Sequence, residues 1–122
     1  MAAPNIVNVT SIYGKTTGLA LTSSAQDVLT CPAEKVLKVN SIIVANVDGT
    51  NNDDVTVSWY NADNTTGYHI AKTVTVPADS TLVVLGKDAP IYLEEGDKIA
   101  ANGVAASGDL EIIVSYEELD DA

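Results

Sequence analysis

Apolar and polar residues alternate in short runs along this chain, and from Lys35 to Glu118 the runs recur roughly every 10 to 14 residues. Each run closes on Gly, Pro, Asn or Asp, whose backbone preferences interrupt a strand. The strongest run is Lys35–Val47. Leu37, Val39, Ser41, Ile43, Ala45 and Val47 share one parity, and Val36, Ile42 and Val44 hold the other. That pattern predicts a strand whose middle is buried on both faces.

The polar stretch Asp48–Asp54 reads as a loop. After it, Val55, Val57 and Trp59 alternate with Thr56, Ser58 and Tyr60, the mark of a half-buried strand. Asn61–Gly67 is a second polar turn. Tyr68, Ile70, Val74 and Val76 share a parity that Lys72 interrupts and Pro77 ends. Thr81–Leu85 and Pro90–Leu93 are short apolar strands, and the acidic turn Glu94–Asp97 leads into Lys98–Ala101. Asn102–Gly108 is a loop of small residues. Leu110, Ile112, Val114 and Tyr116 then alternate with Glu111, Ile113, Ser115 and Glu117.

The first part of the chain is less regular. Ile6, Val7, Val9 and Ile12 predict one strand, Gly14 and Gly18 bracket a Thr-rich bend, and Leu19–Leu21 forms a short second piece. Residues 1–24 therefore read as an N-terminal arm or edge strand. Val28 and Leu29 mark a strand ending at Pro32, and Glu117–Ala122 reads as a frayed acidic tail.

The sum is eight or nine short strands and no helix: Glu94–Ala101 lacks an apolar stripe and is broken by Gly96. One all-β domain over residues 1–122 is expected, an antiparallel β-sandwich with jelly-roll or Greek-key connections. An immunoglobulin-like sandwich fits less well, because no cysteine pair brackets Trp59.

Composition narrows the function. The chain has 122 residues, 46% of them hydrophobic and 19% charged, and contains no Phe. Folding at this size buries roughly two-thirds of the unfolded surface, enough for one core without a deep substrate cleft beside it. The net charge is −11, from 17 acidic residues against 6 lysines and no arginine. Such a field repels phosphate backbones, so nucleic acid is not an expected partner. No apolar run approaches membrane-spanning length, and Met1–Val9 lacks the basic start and long apolar stretch of a signal peptide.

Catalytic equipment is hard to find. Cys31 is the only cysteine and His69 the only histidine, and neither sits in a nucleophile motif. Asp48, Asn51, Asn52, Asp53 and Asp54 supply the oxygen ligands calcium takes, with Asp48, Asp53 and Asp54 as the candidate carboxylates. Their spacing is not that of an EF-hand, and a solvated turn is the plain alternative. The same holds for Glu94, Glu95 and Asp97. No other cofactor is expected. Trp59 reads as core. Tyr60, Tyr68 and His69 are candidate ligand or interface residues, suited either to stacking a sugar or to packing against another subunit.

The stretch VNSIIVANVDGTNNDDVTVSWYN (Val39–Asn61) resembles small virion structural proteins of tailed bacteriophages. So do the VPADSTL turn, the IYLEEGDKI segment and the closing VSYEEL. The opening MAAPNIVNVTSIYGKT is similar to proteins of T4-like phages that infect marine cyanobacteria. The resemblance implies a non-enzymatic β-sandwich of a phage particle, made in the host cytoplasm and placed as head decoration, fibre or tail component. Its implied partners are itself, as a homotrimer, and other virion proteins. The competing expectation is a carbohydrate- or receptor-binding β-sandwich module.

Overall fold

The structure, a computed structural model, describes residues 9–63, 65–105 and 108–120. Nine strands make up its regular structure: β1 Ser11–Ala20, β2 Gln26–Thr30, β3 Lys35–Asn46, β4 Asp53–Asn61, β5 Thr66–Val76, β6 Thr81–Leu85, β7 Ile91–Leu93, β8 Lys98–Asn102 and β9 Leu110–Asp120. Every pairing is antiparallel. One sheet runs β1-β9-β3-β6, with β7 also on β3, and the other runs β2-β8-β4-β5. Strand 1 thus lies beside 9, 2 beside 8 and 4 beside 5. This nested order is that of a jelly roll, so the all-β sandwich expected from the alternation is the fold observed.

The two sheets bury their inward residues against each other. Val39, Ile42, Val44, Val55, Val57, Ile99, Ile112 and Val114 are completely buried. Each such aliphatic side chain contributes about 1.5–3 kcal/mol through removal from water. In β9 the alternation is clean: Ile112 and Val114 face the core, and Ile113 between them is exposed.

The structure revises three local readings. The middle of β3 is not buried on both faces. Its register against β9 steps from Val39↔Tyr116 to Ser41↔Ser115, so Asn40 is an extra, bulged residue. The bulge switches the inward set from Leu37 and Val39 to Ile42 and Val44, and turns Ile43 outward. Two half-strands of opposite phase look, in one dimension, like a strand apolar on both sides.

The Thr-rich bend at Gly14–Gly18 does not exist. β1 pairs with β9 without a break from Ser11↔Asp120 to Ala20↔Glu111, and ladder hydrogen bonds hold both glycines extended. Ile6 and Val7 lie outside the described residues.

The acidic tail is not frayed through Asp120. Glu117–Asp120 belong to β9, with Leu119 buried. Lys15 Nζ lies 3.3 Å from Glu118 Oε1, and Lys35 pairs with Asp120. Lysines from both flanking strands thus answer a run that looks self-repelling in sequence. The Asp120 hydrogen bond in turn raises the Lys35 pKa. Asp121 and Ala122 lie outside the described residues.

Candidate functional site

The chain crosses from one sheet to the other where β5 passes into β6. The Pro77–Ser80 connection closes with Ser80 N–H on Pro77 O, and Asn46 N–H donates to Ser80 O. Near Tyr68 a groove of about 280 Å³ opens between the rim of β5 and that of β7. It is lined by Trp59, Tyr68, His69, Ile70, Ile91 and Tyr92.

Local sequence explains each wall. Trp59 continues the inward parity of Val55 and Val57, and Tyr68 is its cross-strand partner on β5. Their rings stack with centroids 5.8 Å apart and planes 23° from parallel. β5 carries two extra residues relative to β4, between Val55 and Val57 and between Val57 and Ser58. Thr73, in the first of these bulges, has φ 46° and donates its N–H to Thr56 Oγ1 at 3.0 Å. Those bulges break the parity that Lys72 interrupts in the sequence. β7 contributes Ile91 and Tyr92; sequence reading marked the strand but not its place opposite Trp59.

Trp59 and His69 are the two lining residues with ring nitrogens. Trp59 Nε1 has no acceptor and is shut off from solvent, alone in this among buried side-chain N and O atoms of the described residues. A buried, unpaired N–H costs about 1–3 kcal/mol. His69 Nδ1 is 2.9 Å from the buried Ser58 Oγ. This Ser–His pair was invisible in sequence because it depends on strand register. Among the described residues no carboxylate hydrogen-bonds the imidazole, and Ser58 sits in a sheet ladder rather than on a strained turn.

The three candidate residues do not form one site. Tyr68 lines the apolar groove. Tyr60 lies on the opposite face, against Gly67, with Lys98 Nζ 5.3 Å from its ring centroid. There it borders a polar depression with Asp27, Thr30 and Asn61, and Lys98 is paired to Asp27 at 2.9 Å. A sugar stacking on Tyr60 would have to compete with that ammonium.

The carboxylates of the acidic loop are engaged by donors from the loop and from neighbouring segments. Asp48 accepts from Thr50 and Asn51 N–H, which lowers its pKa. Asp53 accepts from Asp54, Val104 and Ala105 N–H, and Asp54 from the Thr75 hydroxyl. Asp97, 3% exposed, accepts from Ala62 and Glu94 N–H. Among the described residues no three His, Cys, Asp or Glu side chains gather as a metal site. Cys31 is buried and donates to Lys35 O at 3.1 Å, and burial pushes its thiol pKa to about 11.

No protein-family model matches the chain, and no curated protein does. It is similar in fold to a solved structure from Bacillus endospore appendages, which form a family of disulfide-linked pili. The TM-score is 0.55 over 92% of this chain and 88% of that one, at 14% identity. At that identity the likeness establishes a shared fold.

Proposed function

We propose that the chain is a non-catalytic structural subunit that self-associates in a multi-copy assembly, and that the assembly is a phage particle. The observation that carries this reading is the pair of long open sheet edges. β1 and β5, of 10 and 11 residues, each lie at the end of a sheet. β1 exposes Ile12 and Tyr13, and β5 exposes Tyr68 and Val74. Proteins that stay monomeric keep such edges short, charged, bulged or covered; β5 carries two bulges, while β1 runs unbroken over its ten residues. A neighbouring subunit would complete them.

The fold likeness to a pilus protein supports a building block, and the resemblance of Val39–Asn61 to small virion proteins supports a particle of phage type, with a closed homotrimer as the unit. Head surface, fibre and tail are all compatible positions. In one respect the chain departs from a disulfide-linked pilus. Its one cysteine is buried and hard to ionise, so its contacts are non-covalent.

Light scattering during size exclusion tests the self-association, and mass spectrometry of purified virions tests the location. A calcium-independent trimer or larger ring, found on particles, is the expected result. A monomer at every concentration, absent from virions of a phage that encodes it, overturns the reading. Binding in a glycan screen, lost with Tyr60→Ala, would point to a sugar-binding module instead.

A further inference from the structure

β9 brings two carboxylates against one lysine. Lys35 and Asp120 are directly opposed residues of β3 and β9, and Leu37 and Glu118 are the next opposed pair on the same face. Lys35 Nζ pairs with Asp120 Oδ2 and lies 4.0 Å from Glu118 Oε2. Glu118 sits between its register partners, Leu37 on β3 and Tyr13 on β1, and is buried. Lys15 Nζ, 3.3 Å from Glu118 Oε1, supplies it with a second counter-charge. The side chains of Lys35, Glu118 and Asp120 are 26, 12 and 15% exposed, against 34 and 58% for the Lys98–Asp27 pair, so this cluster is the better shielded from water.

An ammonium and a carboxylate together hold the atoms of an amide and one water. They condense when they are held in place, when a neighbouring group moves the protons, and when water is kept back. Opposed strands hold Lys35 and Asp120 in place, and well-oriented groups within one molecule reach effective molarities on the order of 10⁵–10⁸ M. Glu118 is the neighbouring group, a carboxylate able to take a proton and return it.

We propose that Lys35 and Asp120 of one copy condense after folding to a side-chain amide, with Glu118 as the proton carrier. One proton passes from the Lys35 ammonium through Glu118 to an Asp120 oxygen. The freed lone pair on Nζ attacks Cγ, forming the C–N bond and pushing the C=O π pair onto oxygen. A second proton follows the same route to the hydroxyl oxygen. The oxygen pair then returns, the C–O bond breaks, and water leaves. One positive and one negative charge vanish together, Glu118 ends as it began, and no co-reactant is consumed. Pairing with Asp120 raises the Lys35 pKa, so the amine form is scarce and the bond forms slowly, as a maturation step. The joined residues are 85 positions apart, so the bond closes most of the chain into one loop and fixes the C-terminal strand to β3. It lies within one copy and does not depend on how copies assemble.

Intact-mass spectrometry of the full chain, followed over time after purification, tests the proposal. Expected is a species lighter by one water that accumulates and persists in denaturant. Lysine-specific digestion should then release residues 16–38 joined to residues 99–122, because Lys35 no longer offers a cleavage site. Lys35→Arg keeps the charge and the ion pair but does not form the amide. It and Asp120→Ala should lose the lighter species completely, and Glu118→Gln should slow its appearance roughly a hundredfold or more. Circular dichroism checks that each variant is folded.

A natural chain that keeps its full mass at every time point overturns the proposal. So does a water loss that persists in Lys35→Arg, which would place it elsewhere, as a cyclic imide at the Asp48–Gly49 step. A joined peptide that forms at the natural rate in Glu118→Gln keeps the bond and overturns the part given to Glu118.

Discussion

The carboxylate of Asp97 accepts the backbone N–H of Ala62, 35 residues earlier, at 2.9 Å, and with its other oxygen the N–H of Glu94 at 3.1 Å. One buried side chain thereby fastens the β4–β5 turn to the β7–β8 turn. Asp97→Ala leaves two backbone donors without their acceptor. It is expected to destabilise the fold by about 2–4 kcal/mol in urea unfolding, with Asp97→Asn recovering part of the loss.

Next to that contact, Gly96 has φ 81°, and a Cβ there would meet Ala62 Cβ at 2.9 Å. Gly96→Ala therefore meets both backbone strain and a methyl group that cannot swing away. A cost of about 1–3 kcal/mol is expected by thermal or urea unfolding. Gly67→Ala also meets a close contact, the Tyr60 ring at 2.5 Å. That ring can rotate, so a smaller loss is expected, together with loss of the Lys98 contact.

Cys31 gives a pH signature. Its thiol pKa is raised from 9.0 to about 11 in the fold, chiefly by burial. The folded state then holds the proton more tightly than the unfolded one. The contribution is complete below pH 9 and is lost as pH rises through 11. The difference in stability between the natural chain and Cys31→Ala should narrow across that window. At pH 8 the folded protein should resist a thiol reagent that labels it fully in denaturant.

Asp48, Asp53 and Asp54 each accept from backbone or hydroxyl donors rather than converging on one point. Calcium against a chelator is expected to shift Tm by less than about 1 °C. A larger, saturable rise would establish a site that this arrangement does not foreshadow.

The open edges predict where association can be weakened without unfolding. Tyr13→Lys on β1 or Val74→Lys on β5 places a charge on an exposed edge. Light scattering should show a lower mass, with Tm of the dissociated chain little changed. Ile113→Lys, on the outer face of the β1-β9-β3-β6 sheet, separates face packing from edge pairing: it should leave edge-driven association intact.

The fold was legible where alternation survives as alternation. Val55–Val57 and Leu110–Val114 read correctly, because each has one core face and one outer face. Reading failed where register intervenes. Asn40 is an ordinary residue in sequence, and only its lack of a partner on β9 makes it the bulge that rotates half of β3. Gly14 and Gly18 looked like bend residues because isolated glycine propensity cannot see a ten-residue ladder. The groove was half legible: Trp59 and Tyr68 were singled out, but Ile91 and Tyr92 join them only through the jelly-roll order. Tyr60 and Tyr68 are parted by strand alternation, because Tyr68 is paired with Trp59, the neighbour of Tyr60 on β4.

Because β1 and β9 are antiparallel neighbours, Thr10 and Asp120 meet at one end of the sandwich. Tension applied between those two points would open the β1–β9 ladder one hydrogen bond at a time, like a zip, rather than shear all its bonds together. A subunit wired this way transmits force poorly through its own backbone. Any filament or shell built from it must route mechanical stress across the joints between copies, and its tensile strength would be that of the joints.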